Sequence, residues 1–247
     1  MLGLDKKDIV RELREQLLAI QGFKRSVIGQ DVPDFGLNAM APAFPFGVLP
    51  LGAVHEFISP TSACATAANG FVAGLLSTLM TNDMSCLWVS TKRSLFPAGL
   101  TYFGIQPHRI VFIDVRTDRE ALWVMEQALK CNALVAVVAE LGELSFAQSQ
   151  RLQLAVEDSK VTGFLHRKRP RRENTLACVS RWKIRPIASH TAGNMPGVGI
   201  PVWEVRLEKI RNGKPGTWYF GWKDGAFISI KPQDATVIKV PKIERYA

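Results

Sequence analysis

Between residues 53 and 91 the chain has no lysine, and between residues 59 and 69 it has no glycine. The absence matters because of what surrounds it. Val54-His55-Glu56-Phe57-Ile58 reads as a strand and Ser59 to Thr66 as a loop. A helix follows over about 66–80, then a second strand, Cys86-Leu87-Trp88-Val89-Ser90. That is the order of a phosphate-binding loop. Such a loop needs glycines so that backbone N–H groups can wrap the phosphates, a lysine for the β/γ-phosphates, and a Ser/Thr hydroxyl for Mg²⁺. Here the scaffold stands without its chemistry. Phosphoryl transfer is almost wholly positioning and charge neutralisation, so the segment points away from ATP hydrolysis and toward a binding module.

Other absences narrow the function further. The four cysteines (Cys64, Cys86, Cys131, Cys178) show no C-x-x-C pairing, and the four histidines show no H-x-x-x-H spacing. Neither a metal site nor a cofactor is expected. No G-x-S-x-G is present, and His55 and Glu56, adjacent on a strand, face opposite ways. No catalytic residue is assigned. No apolar run reaches the roughly 18 residues of a membrane span. The start, Met1 to Asp8, turns polar at once. The expectation is a cytoplasmic protein with reduced cysteines and no membrane contact.

What is present is an ordinary globular composition, 47% hydrophobic and 21% charged over 247 residues, with an uneven net charge of +9. Residues 1–150 carry 12 Lys/Arg against 14 Asp/Glu, whereas residues 151–247 carry 19 against 8. The basic excess lies wholly in the second part, which fits a polyanionic partner or an acidic protein surface. Its sharpest point is His166-Arg167-Lys168-Arg169-Pro170-Arg171-Arg172. This run follows an expected core strand at the edge where α/β folds place ligand loops. Arg167, Lys168, Arg169, Arg171 and Arg172 are therefore candidate contacts to DNA phosphates. Arg211 and Lys214, flanking an expected hairpin turn, are candidates to extend that surface. A basic patch for a protein partner and a merely solvated loop are the competing readings. A hairpin tip simply needing polar residues is the alternative for Arg211 and Lys214. No aromatic residue lies within the run to stack bases.

The order of elements gives the fold class. Leu4, Ile9, Val10, Leu13, Leu17, Leu18 and Ile20 predict an amphipathic helix over 4–21, and 22–42 a connector. After the first two strands come a helical stretch at Pro97–Phe103, a strand at 110–115, and a helix over about 119–131 capped by Asp118. Leu134-Val135-Ala136-Val137-Val138-Ala139 is a strand buried on both faces. A helix opened by Ser145 runs to about Lys160, and Val161 to Leu165 is the next strand. This β-α alternation predicts a doubly wound, mainly parallel sheet. Thr175–Trp182, Trp203–Ile210 and Thr217–Trp222 then read as strands without helices, the last two as an antiparallel hairpin across Asn212-Gly213. The tryptophans of this region (Trp182, Trp203, Trp218, Trp222) fit buried packing better than a stacking platform.

Several stretches resemble the ImuA family, RecA-like proteins tied to bacterial translesion DNA synthesis. They are Phe44 to Phe57, Ala121-Leu122-Trp123 to Leu129, Ser149 to Ala155, Thr162 to Leu165, Arg181-Trp182-Lys183-Ile184, and Pro196 through Trp218. The resemblance implies a RecA-like core over 44–224, an N-terminal helix and connector over 1–43, and a tail over 225–247. It implies a degenerate P-loop at 59–66, Lys92 where the active recombinase has an acid, and Glu140 near the Walker B position. It further implies a non-catalytic accessory factor of SOS mutagenesis, working with ImuB and an error-prone DNA polymerase. RecA, single-stranded DNA and self-association are further candidate partners. The alternative is a cell-division inhibitor similar to SulA, which is also RecA-like and also lacks a P-loop.

Overall fold

In a computed structural model of the protein, residues 33–80, 84–190 and 199–231 are described. The helix expected over 4–21 and residues 232–247 of the tail lie outside them. Nine strands form one sheet in the order β3-β2-β4-β5-β1-β6-β7-β8-β9. The strands are β1 Val54–Ser59, β2 Ser85–Ser90, β3 Ile110–Asp114, β4 Leu134–Leu141, β5 Thr162–Lys168, β6 Ser180–His190, β7 Ile200–Ile210, β8 Gly216–Lys223 and β9 Ala226–Ser229. β1 to β6 run parallel, and β7, β8 and β9 add antiparallel pairings.

Helices cover both faces of the parallel part. α1 (Ser62–Leu79) lies on one face, with Phe57, Phe164, Trp182 and Trp203 in its core. α2 (Asp118–Ala128) and α3 (Phe146–Ser159) lie on the other, over Val54, Val137 and Leu165. β1 and β4 are buried along most of their length because each has helices on both sides. β7 alternates buried and open positions, with the ion pairs Lys183–Glu208 and Arg185–Glu204 across its exposed face to β6. α1 is long and apolar enough by composition to cross a membrane, but it packs against the sheet and is a core helix.

Local chemistry explains the helix starts. The Thr61 hydroxyl accepts the Cys64 N–H at 3.2 Å, so α1 begins at Ser62 rather than near 66. Ser145 caps α3 as expected, and its capping box is completed by Gln148. The cap of α2 is a correction. Thr117, not Asp118, accepts the Glu120 N–H, and the Glu120 carboxylate bonds back to the Thr117 N–H. Asp118 instead reaches across to accept the N–H groups of Gly142 and Glu143 at 3.0 and 3.1 Å.

Further corrections follow from packing. Phe35, Leu37 and Met40, in the expected connector, are buried in the α1-side core. Ala226–Ser229, assigned to the tail, pairs with β8 and buries Phe227 against Phe71 and Trp222. The strand expected at 175–182 begins at Ser180 and runs to His190. Pro97–Phe103 is helical as expected, in the form of a 3-10 helix. The tryptophans pack as expected, Trp182, Trp203 and Trp222 buried and Trp218 partly buried against the same core. Burial pushes the Cys178 thiol up to about 12, leaving it inert.

Candidate functional site

The C-terminal ends of the parallel strands gather the charged side chains that the sequence scatters. β5 is longer than expected and carries Arg167 and Lys168 inside the strand. Arg167 was a candidate for an exposed basic loop, and the structure corrects this. Its side chain is fully buried, and its guanidinium donates to Glu56 Oε1 at 2.9 Å and to the Arg172 carbonyl at 2.8 Å. Arg181 shares the same acid through Glu56 Oε2 at 2.7 Å. A charge taken out of water must be paired, and β1, β5 and β6 supply the pair from three neighbouring strands. Arg167 thus anchors the turn that follows it and presents no charge outward.

Lys168 points to the opposite face. Its ammonium pairs with Glu140 at the end of β4 and donates to Ser94 Oγ at 2.7 Å. The other oxygen of Glu140 accepts from Asn69 Nδ2 at 3.0 Å. Both carboxylate oxygens are therefore engaged by protein donors. Among the described residues no group of three His, Cys, Asp or Glu lies close enough to hold a metal ion. The Lys168–Glu140 pair lines an open cavity of about 470 Å³, whose other charged borders are Lys92, Arg169 and the acid Asp118, with Ser62 and Ser94 between them. Its floor is the short β1–α1 connection, where Ser59 ends the strand and Pro60 and Thr61 lead straight into the helix.

Arg169 leaves the strand with φ 50°, its N–H held by the Ser59 carbonyl at 2.8 Å and its guanidinium on the Ser62 hydroxyl. It is exposed, as are Arg171 and Arg172. The side chains of Lys92, Arg169, Arg171 and Arg172 meet no carboxylate among the described residues. Four open cations thus sit at this edge, while Arg167 and Lys168 are neutralised inside it.

Arg211 and Lys214 do not join them. β7 runs antiparallel to β6, and Ile210 pairs with Ser180 beside the N-terminal end of β1. The hairpin turn therefore lies at the other end of the parallel strands. Arg211 is half-buried and donates to the Ala177 carbonyl at 3.3 Å, and Lys214 is exposed with its N–H on the Ala43 carbonyl.

Two buried histidines stand behind the site. His166 Nε2 lies 2.8 Å from Ser59 Oγ, and burial together with the Lys168 cation lowers its pKa to about 3. His55 lies 2.6 Å from Ser180 Oγ and 2.7 Å from the Pro50 carbonyl, and burial lowers its pKa to about 4. Both are neutral core residues. Ser94, which accepts from Lys168 here, is not singled out by any motif in the sequence, and Lys92 is legible there only as a reversed charge.

No protein-family model matches the chain. Protein ImuA of Caulobacter vibrioides, strain NA1000 / CB15N, is 34% identical over 203 residues, covering 76% of this chain and 82% of that protein. The same values hold for Protein ImuA of strain ATCC 19089 / CIP 103742 / CB 15. Identity at that level over most of both lengths shows that the chain belongs to the ImuA family.

Proposed function

We propose that this protein is a non-catalytic accessory factor of error-prone translesion DNA synthesis. In this role it is a RecA-like adaptor that couples DNA, or RecA on it, to ImuB and an error-prone polymerase. The observation that carries the reading is the 34% identity to Protein ImuA across 76% of the chain. The mainly parallel sheet flanked by helices supports a RecA-like core. Three features support a phosphate loop without its chemistry: a two-residue β1–α1 connection, a threonine on the helix's free N–H, and Glu140 held by Lys168 and Asn69. A carboxylate already bonded at both oxygens is poorly placed to hold Mg²⁺.

DNA contact on this reading is made by the open cations of the C-terminal strand edge, Arg169, Arg171 and Arg172 with Lys92. Each phosphate neutralised on a single strand contributes about −0.7 to the slope of log K against log salt, so four contacts give about −3. Affinity capture of the tagged protein from DNA-damaged cells tests the assignment. Recovery of ImuB and an error-prone polymerase is expected. Recovery of the tubulin-like division protein without them would overturn it and put the division-inhibitor reading first.

A further inference from the structure

The basic edge offers phosphates a partner but offers bases none, since no aromatic residue lies between 167 and 172. Aromatic surface stands beside it. The cavity at this edge, lined by Lys92, Lys168 and Arg169 and also by Asp118 and Glu140, adjoins a second, more apolar one of about 710 Å³, and Thr66 and Ser94 border both. Phe96, Tyr102, Phe103, Ile187 and Trp203 are among the walls of the second cavity. Phe96 is 75% and Tyr102 55% exposed, unlike the tryptophans of the core.

The backbone arranges these two rings in a definite way. Pro97–Phe103 is a 3-10 helix, in which residues three apart eclipse one another. Gly99 and Tyr102 therefore share one edge, and Phe96 stands one turn before them. A Cβ added at Gly99 would meet nothing within 4 Å, so the edge between the two rings is open at that position. The segment is tied down by the Gly99 N–H on the Phe96 carbonyl at 2.9 Å and the Thr101 hydroxyl on the Ala98 carbonyl at 2.7 Å. The Trp222 indole N–H adds a bond to the Tyr102 carbonyl at 3.4 Å. Both rings are thus exposed on a fixed backbone, so little ordering is needed when something stacks on them.

We propose that the joined cleft is a groove for single-stranded nucleic acid, in which Lys92 and Arg169 take phosphates and Phe96 and Tyr102 stack bases on either side of Gly99. The inference rests on the reading of this protein as a DNA-contacting factor and adds the strandedness and the residues that read it. An unpaired nucleotide carries an anionic phosphate and an apolar base face, and the cleft holds open cations at one end and open aromatic rings at the other. A duplex keeps its base faces internally stacked and uses only the cationic end.

Fluorescence anisotropy of the full chain with labelled oligothymidylate, and with the same strand in a duplex, tests this. Two variants are compared with the parent, Phe96→Ala/Tyr102→Ala and Gly99→Leu. Gly99 is exposed and a Cβ there meets no neighbouring atom, so the glycine variant adds bulk on the open side of the segment. Both are expected to lose about tenfold or more in single-strand affinity, with duplex affinity and its salt slope unchanged. If both bind oligothymidylate as tightly as the parent while Arg169→Glu/Arg171→Glu/Arg172→Glu loses it, the groove is wrong and the DNA-contacting reading stands. A parent protein with no affinity for oligothymidylate at low salt overturns both. Loss of a co-purifying protein with single-strand affinity intact would assign the cleft to a protein ligand and also overturn the groove.

Discussion

Arg167 shows how one residue's role is set by where its side chain goes. Its carboxylate partner, Glu56, is 111 positions away in sequence, and both are buried. Removing the guanidinium leaves Glu56 with Arg181 alone and frees the Gly142 and Arg172 carbonyls. Breaking a buried pair from one side costs about 3–5 kcal/mol, and the remaining arginine places this case at the low end. Arg167→Ala is expected to lower stability by about 3 kcal/mol in urea unfolding, with little effect on DNA affinity per folded molecule. Arg171→Ala is expected to do the reverse, since its side chain is open. A variant of Arg167 with parental stability would remove the anchoring role given to it.

At the scale of elements, α1 is the helix on which the antiparallel extension closes. Its small residues make the approach close. A Cβ at Gly74 would lie 2.5 Å from the Phe227 ring and 2.9 Å from Trp222, and one at Gly70 would lie 3.1 Å from Trp203. Alanine is favoured over glycine in a helix by about 1 kcal/mol, so the sign of Gly74→Ala is a contest between propensity and overpacking. Two rigid rings inside van der Waals contact decide it for overpacking, which costs about 1–3 kcal/mol. Gly74→Ala is expected to lower the thermal midpoint, and Gly74→Ala with Phe227→Leu to recover part of the loss. A single variant more stable than the parent would mean that β9 does not pack on α1 as described. The glycines were visible in the sequence, but the strand that uses Gly74 was not, because Ala226-Phe227-Ile228-Ser229 is too short to carry a period of its own.

For the whole molecule, stability is linked to pH through His55 and His166. Above about pH 6.5 both are neutral in the folded and unfolded chain and contribute no pH dependence. Below it the unfolded chain takes up protons that the folded chain refuses until about pH 4 at His55 and about pH 3 at His166. Stability is therefore full above the unfolded value and falls as pH drops toward the folded ones. The slope reaches about 1.4 kcal/mol per pH unit for each histidine, or about 4 kcal/mol between pH 7 and 5 for the pair. Urea midpoints at those two pH values measure it. His55→Gln/His166→Gln is expected to flatten the dependence, and an unchanged slope in that variant would assign it to other groups.

The sequence by itself determined the order of elements and the class of fold. Apolar runs such as Leu134 to Ala139, broken by capped helices, can be satisfied only by a sheet buried on both faces. It also located the basic run at the end of a core strand. Only the tertiary structure decided which of those cations face outward. Adjacent residues on a strand point to opposite faces, so Arg167 and Lys168 were fated to different surroundings once β5 extended through both. Strand length, in turn, depends on neighbours: Arg167 pairs across from Ile58 and Lys168 from Ser59, a register no local pattern encodes. The same holds for Arg211 and Lys214, which the antiparallel return of β7 carries to the far end of the sheet. It holds equally for Phe96 and Tyr102, joined to the cationic edge by a fold that brings Ser94 to Lys168.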